Sequence, residues 1–206
     1  MEKAKRKERE FNLRRTEILE AAEKIFAEKG FYNTTVAEIA GASGFAVGTI
    51  YQFFESKDQL YSAMLTEKLN IMYDEIQKAI GQEAGLLRKI EVLVATSFRF
   101  VENNAEFCSI FVRGDHLSLS EGSKALRERM KGDYADHIAF IEGVIREGIR
   151  TGELKKMDPH MMSATLLSII NSCAFRWLSA SKEGALETNI PFVMDIFLEG
   201  ARQNAH

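Results

Sequence analysis

Apolar side chains recur three and four positions apart along almost the whole chain. Nowhere do Val, Ile or aromatic residues alternate with polar ones for long enough to build a strand. That period sets the fold class as all-α, because a stripe repeating every 3.6 residues cannot serve as one face of a pleated sheet. With 206 residues, 46% of them hydrophobic and 2 of them proline, the chain has material for one large core or for a small domain joined to a larger one. Cys108 and Cys173 are the only cysteines, so there is neither a CxxC knuckle nor a disulfide framework, and they read as core residues in a reducing, cytoplasmic setting. The longest charge-free run, 161–175, is fifteen residues. A membrane span needs roughly 20, and the first thirty positions hold no apolar signal stretch, so neither membrane insertion nor secretion is expected.

Local punctuation divides the periodic pattern. Ile18, Leu19, Ala22, Ile25 and Phe26 form one stripe that stops at Lys29-Gly30. Thr35-Val36-Ala37-Glu38 is a capping box opening a short helix over about 36–42, and Ser43-Gly44 breaks it. A second short helix occupies 46–53, and Ser56-Lys57-Asp58-Gln59 is another capping box opening a long one to Ile80. Further helices are expected at 84–102, 104–112, 122–151, 159–181 and 189–203, with stops or starts at Gly114-Asp115, Thr151-Gly152 and Asp158-Pro159. The implied organisation is a three-helix N-terminal domain, 1–54, and a larger helical bundle, 55–206.

Two short helices that meet at a tight turn need a small residue where their backbones approach. They also need a glycine where the chain takes positive φ, and an apolar residue that locks the second helix. Ala40, Gly44 and Ile50 stand at those offsets. The unit is a helix-turn-helix, and its second helix is free to enter a DNA major groove.

The stretches 18–31, 34–40 and 47–61 together make the chain resemble the TetR family of bacterial transcriptional regulators. The resemblance implies an all-α homodimer that binds a palindromic operator in double-stranded DNA. It also implies release when a small-molecule effector occupies the C-terminal domain, and most relatives repress. Thr49 and Tyr51 resemble the family's recognition-helix contacts, Gly48 lets the backbone sit close, and Lys57 resembles a phosphate-binding lysine. Thr35 is expected to cap its helix and touch phosphate together. Where many relatives carry Ser and a basic residue, this chain has Ala46 and Val47. Its base contacts should therefore be more apolar, favouring thymine methyl groups, with Gln52 as a candidate adenine reader.

Charge is distributed unevenly. The net charge is −3, yet residues 1–15 carry +4 and the remainder −7. A basic arm from Lys3 to Arg15 on an acidic body is suited to flanking phosphates or a minor groove.

In the larger domain, His116, His137, His160 and His206 lack the i, i+4 spacing of a helical metal site, and no GxSxG or phosphate loop appears. No metal, no cofactor and no enzymatic activity are expected. The candidate effector-binding residues are Phe98, Phe107, Phe111, Met130, Tyr134, His137, Asn171 and Phe175, an apolar set with three polar members. Packed core is the competing reading for each of them. Helix 159–181 is apolar on more than one face, and the last helix adds Phe192, Val193, Ile196, Phe197 and Gly200, so a homodimer through these two helices is expected. Two other readings stay open at this point: an all-helical small-molecule carrier with a vestigial head, and an effector-free architectural DNA-binding protein.

Overall fold

The computed structural model describes residues 2–113, 124–180, 182 and 184–202. The helices are α1 (Glu2–Lys29), α2 (Val36–Ser43), α3 (Val47–Phe53), α4 (Lys57–Gly81), α5 (Leu86–Asn103), α6 (Ala105–Arg113), α7 (Lys124–Thr151), α8 (Pro159–Ser179) and α9 (Ile190–Ala201). A 3₁₀ turn over Leu186–Asn189 leads into α9. Among the described residues there is no strand, only an isolated bridge between Leu154 and Arg202. Helix ends agree with the periodic pattern to within a few residues. The expected stop at Gly114-Asp115, His116, His206 and the first two positions of the helix expected at 122–151 lie outside the described residues.

Compactness divides the described chain into two units, and the division falls inside α4, after Lys68. The first holds α1 to α3, the start of α4, and α6 from Glu106. Its core is Ile18, Ala22 and Phe26 of α1, Ile39 and Ala40 of α2, Ile50 of α3, and Leu60, Tyr61 and Leu65 of α4, all almost fully buried. The α1 stripe predicted from the spacing is thus the face that meets α2, and α2 in turn packs on α3. Phe26 and Phe31 both meet the Tyr61 ring, at 4.8 and 4.9 Å between centroids. α1 is helical back to Glu2, so the basic segment is a helical extension.

The first capping box forms in full and the second only in half. The Glu38 amide donates to Thr35 Oγ1 at 3.2 Å and the Thr35 amide to Glu38 Oε2 at 2.8 Å, the full reciprocal pattern. Lys29 Nζ donates to Glu38 Oε1 at 2.7 Å. That bond, together with the two from Thr35, holds the Glu38 carboxyl at a pKa of about 2. At α4 the Gln59 amide donates to Ser56 Oγ at 3.1 Å, but the Gln59 side chain accepts from Glu55 rather than from Ser56. The second box therefore reaches back one residue further than expected.

The second unit gathers α5, α8, α9 and the 3₁₀ turn around one another, with the later part of α7 contributing to the same core. Ile90, Leu93, Val94 and Phe98 of α5, Ile141 and Ile145 of α7, Leu166 and Ile170 of α8 and Val193 and Phe197 of α9 supply its interior. Asp158 caps α8 by accepting the His160 and Met161 amides, with Pro159 at the first helical position as the sequence indicates.

The turn between α2 and α3 depends on Gly44, which sits at φ 73° and ψ 14°, while its amide reaches back to Ala40 and Gly41 carbonyls. No neighbour lies within 4 Å of where a Cβ would stand at either Gly41 or Gly44. The two positions consequently separate conformation from space. Gly44→Ala should destabilise the first unit by about 1–2 kcal/mol through left-handed strain alone. Gly41→Ala, inside α2, should stabilise it by roughly 0.5–1 kcal/mol. Thermal unfolding of the two variants beside the wild type checks the opposite signs.

Candidate functional site

The helix-turn-helix presents the second helix outward. Ile50 is 1% exposed and locks α3 onto α2, whereas Val47, Tyr51 and Gln52 face solvent and Thr49 is half-buried. Ala46 and Gly48 are exposed at the start of the helix. Ala46 occupies the N-cap without a side-chain hydrogen bond, since alanine has no oxygen to offer. The α3 segment VGTIYQF carries no charge, so its outer surface is a hydroxyl, an amide and short apolar groups. Six of the eight residues expected to touch DNA, from Ala46 to Gln52, thus lie at the start or on the outer side of one short helix.

The other two are already engaged within the protein. The Thr35 hydroxyl accepts the Glu38 amide and donates to Glu38 Oε2 at 2.9 Å. Lys57 Nζ donates to the Phe31 and Thr34 carbonyls at 2.7 and 2.8 Å and lies 4.3 Å from the Phe31 ring centroid. Two of its three N–H donors are therefore committed to tying α4 to the link between α1 and α2. Sequence reasoning missed this role because both carbonyls come from residues more than twenty positions upstream.

The candidate effector residues are divided between the two units. Phe98 and His137 are buried in the second unit, Met130 is half-buried there, and Tyr134 is 45% exposed. Phe107 and Phe111 belong to the first unit, where their rings meet edge to face at 5.4 Å. Asn171 and Phe175 are exposed and so are not packed core. They stand on the outer side of α8 with Ser168 and Ser172, because Leu166, Ile170 and Ala174 take the inner side.

His137 is the polar group of this set that is buried. Its ring stacks on Tyr73 at 4.2 Å and 16°. Its Nδ1 has no hydrogen-bond partner among the described residues. Burial lowers the imidazole to a pKa of about 4 and raises the Tyr73 phenol to about 12, so both are neutral near pH 7. Neutral imidazole has one donor and one acceptor nitrogen, and an unpaired one inside an apolar core is costly unless something else meets it.

The outer sides of α8 and α9 form an open groove of about 1020 Å³, with Met161, Ile169, Cys173, Trp177, Phe192 and Ile196 among its walls. Met161, Phe192 and Ile196 are each more than half exposed. The last helix thus splits the set expected to form an interface. Val193 and Phe197 are buried within their own unit, while Phe192, Ile196 and Gly200 face outward. Cys173 lies at the groove instead of in the core, half-buried, and Cys108 is half-buried on α6. Among the described residues no cluster of His, Cys, Asp or Glu has metal-binding geometry, and no helix is long and apolar enough to cross a membrane.

Comparison with known proteins agrees with this geometry. Residues 18–64 match the model of bacterial regulatory proteins of the tetR family, and residues 65–200 match that of the C-terminal region of YsiA-like proteins. The fatty acid metabolism regulator protein of Bacillus subtilis is 22% identical over 185 residues, covering 89% of this chain and 93% of its own. The HTH-type transcriptional repressor KstR2 of Rhodococcus jostii is 25% identical over 188 residues, covering 91% and 90%. Among solved structures, the transcriptional regulator FadR from Bacillus subtilis in complex with stearoyl-CoA superposes with a TM-score of 0.79. It is 22% identical and covers 90% of this chain and 98% of its own. The ketosteroid transcriptional regulator KstR2 of Mycobacterium tuberculosis gives 0.71 at 22% identity, covering 93% and 96%. With a helix-turn-helix in its first unit and family matches running from 18 to 200, the chain belongs to the TetR family of bacterial regulatory proteins.

Proposed function

We propose that this regulator is a homodimeric repressor that occupies a palindromic operator and is released by a long apolar acyl thioester. The observation that carries the DNA half is the outward face of α3, held by buried Ile50 and the Gly44 turn, with Val47, Tyr51 and Gln52 free to meet base edges and phosphates. An α-helix presented this way fits a major groove, and a pair of such helices reads two half-sites about one helical turn apart.

The dimer half rests on the outer sides of α8 and α9. Large apolar side chains more than half exposed on two adjoining helices make the kind of patch that marks an interface, and a two-fold axis lets one patch complement itself. The effector half is supported by relatives described as a fatty acid metabolism regulator and as a regulator in complex with stearoyl-CoA. An acyl chain suits an aliphatic and aromatic interior, and neutral His137 is the buried group suited to meeting one polar atom of such a ligand. Repression needs only that the bound dimer block a promoter. Release needs only that the effector favour a head spacing the operator disfavours, because a ligand shifts an equilibrium by its differential affinity alone.

Mobility shift with the DNA flanking the protein's own gene tests this reading, with palmitoyl-CoA, free CoA and palmitate as separate additions. Palmitoyl-CoA should weaken operator binding by about 5- to 150-fold and free CoA should not. Absence of release by palmitoyl-CoA would leave the effector-free architectural reading in its place. His137→Leu should raise the palmitoyl-CoA concentration needed for half-release about fivefold, the loss of one hydrogen bond, with operator affinity unchanged.

Tyr51→Phe removes one charge-assisted hydrogen bond to phosphate, worth roughly 1.5–3 kcal/mol, and leaves the ring in place. Operator affinity should drop about tenfold or more, and an unchanged value takes Tyr51 off the contact surface. Ile196→Asp sets a charge on the outer side of α9. Light scattering should then find monomers at micromolar concentration, and affinity for the full palindrome should fall to that for an isolated half-site.

A further inference from the structure

We propose that the N-terminal extension of α1 is a second DNA-contacting element, in which Lys7 and Arg14 grip backbone phosphates flanking the site that α3 reads. This rests on the DNA-binding reading above and adds to it a surface outside the family match, which begins at Ile18.

The extension is placed by one aromatic contact. Phe11 meets Phe53, the last residue of α3, with ring centroids 4.5 Å apart. From Phe11 the helix continues nine residues to Glu2, about 13 Å at 1.5 Å per residue. Lys7, Phe11, Arg14 and Ile18 stand at i, i+4, i+7 and i+11, so Lys7 and Arg14 issue from the side of α1 that carries Phe11 onto the recognition helix. Ile18, on the same stripe, is fully buried in the helix-turn-helix core. The stripe that packs the head thus runs on past it and changes from apolar to basic.

The charge inventory of the first unit assigns the function. DNA binding draws much of its strength from cations placed on phosphates, yet α3 has no charged residue. Lys29 is paired with Glu38, Lys68 with Glu23, Arg15 with Glu67 and Arg6 with Glu10, while Lys57 is bonded to backbone carbonyls. Lys5, Lys7, Arg9, Arg14 and Lys24 are exposed with no ion pair among the described residues, and of these Lys7 and Arg14 share the side of α1 that carries Phe11. The chain beyond residue 15 carries −7 and repels a polyanion, so the basic stripe beside α3 supplies what the reading helix lacks.

The test compares two double variants of equal charge change in the full-length protein, on a duplex that the wild type has selected from a random library. Lys7→Gln/Arg14→Gln removes the proposed contacts. Lys5→Gln/Arg9→Gln removes two exposed cations from the opposite side of the same helix, and glutamine preserves helix propensity in both, verified by circular dichroism. The plot of log affinity against log salt should become shallower by about 2–4 for the dimeric Lys7/Arg14 variant, since each lost phosphate contact removes roughly 0.9 from the slope. Affinity near physiological salt should fall at least tenfold, and the Lys5/Arg9 variant should track the wild type. Equal changes in both pairs, a change in the Lys5/Arg9 pair alone, or no change in either overturns the inference while leaving the DNA-binding reading standing. A wild-type protein that selects no duplex overturns both.

Discussion

The whole first unit depends on how the start of α4 is seated, and that seat is a cluster of the Phe26, Phe31 and Tyr61 rings with the Lys57 ammonium over Phe31. Aromatic pairs at these separations favour edge and tilted geometries, and such pairs add about 0.5–1.5 kcal/mol each beyond the area they bury. Lys57 adds a restraint that the rings cannot, because its two bonds to the Phe31 and Thr34 carbonyls fix the start of α4 against the backbone that enters α2. The orientation of α2, and through Gly44 and Ile50 that of α3, is set relative to α4 by these contacts.

Polar and charged groups in the first unit are divided between holding the head and reaching outward. Glu38 is consumed by Thr35 and Lys29, Glu23 by Lys68, and Glu67 by Arg15, each linking one helix to another or closing a cap. Pairs of this kind, exposed or partly so, contribute little stability singly, so their value lies in orientation. What remains for a nucleic acid is a neutral reading helix and a basic helical extension docked to it through Phe11 and Phe53. Base discrimination and electrostatic grip would thereby rest on separate elements, which lets one vary without the other.

In the second unit the same helix serves two surroundings. α8 gives Leu166, Ile170 and Ala174 to its own core and turns Met161 outward, with Ile169 and Cys173, along a groove with α9. Its hydroxyl residues fit this double duty, since Ser168 and Ser172 return their hydrogen bonds to carbonyls one turn back and so expose no unsatisfied donor on that surface. His137 is the counterexample inside the unit, a buried ring with an unmatched nitrogen stacked on Tyr73.

The helices and the helix-turn-helix are legible in the amino-acid order. Those features rest on local rules: the 3.6 period, a glycine at positive φ, and caps whose donors and acceptors lie within three or four residues, as in Thr35 with Glu38. Exposure of Val47, Tyr51 and Gln52 follows from the same short-range geometry once Ile50 is taken as the inward residue. Tertiary structure alone decided matters that hang on distant partners. That Lys57 also ties α4 to carbonyls more than twenty residues upstream is invisible in any local pattern. An apolar helical wheel shows that α8 has two faces but not which one the chain itself covers, and it is packing that leaves Asn171 and Phe175 exposed. The basic arm was visible as charge, but only the meeting of Phe11 with Phe53 placed it beside the reading helix, because a contact across 42 positions is written in packing and not in any local pattern.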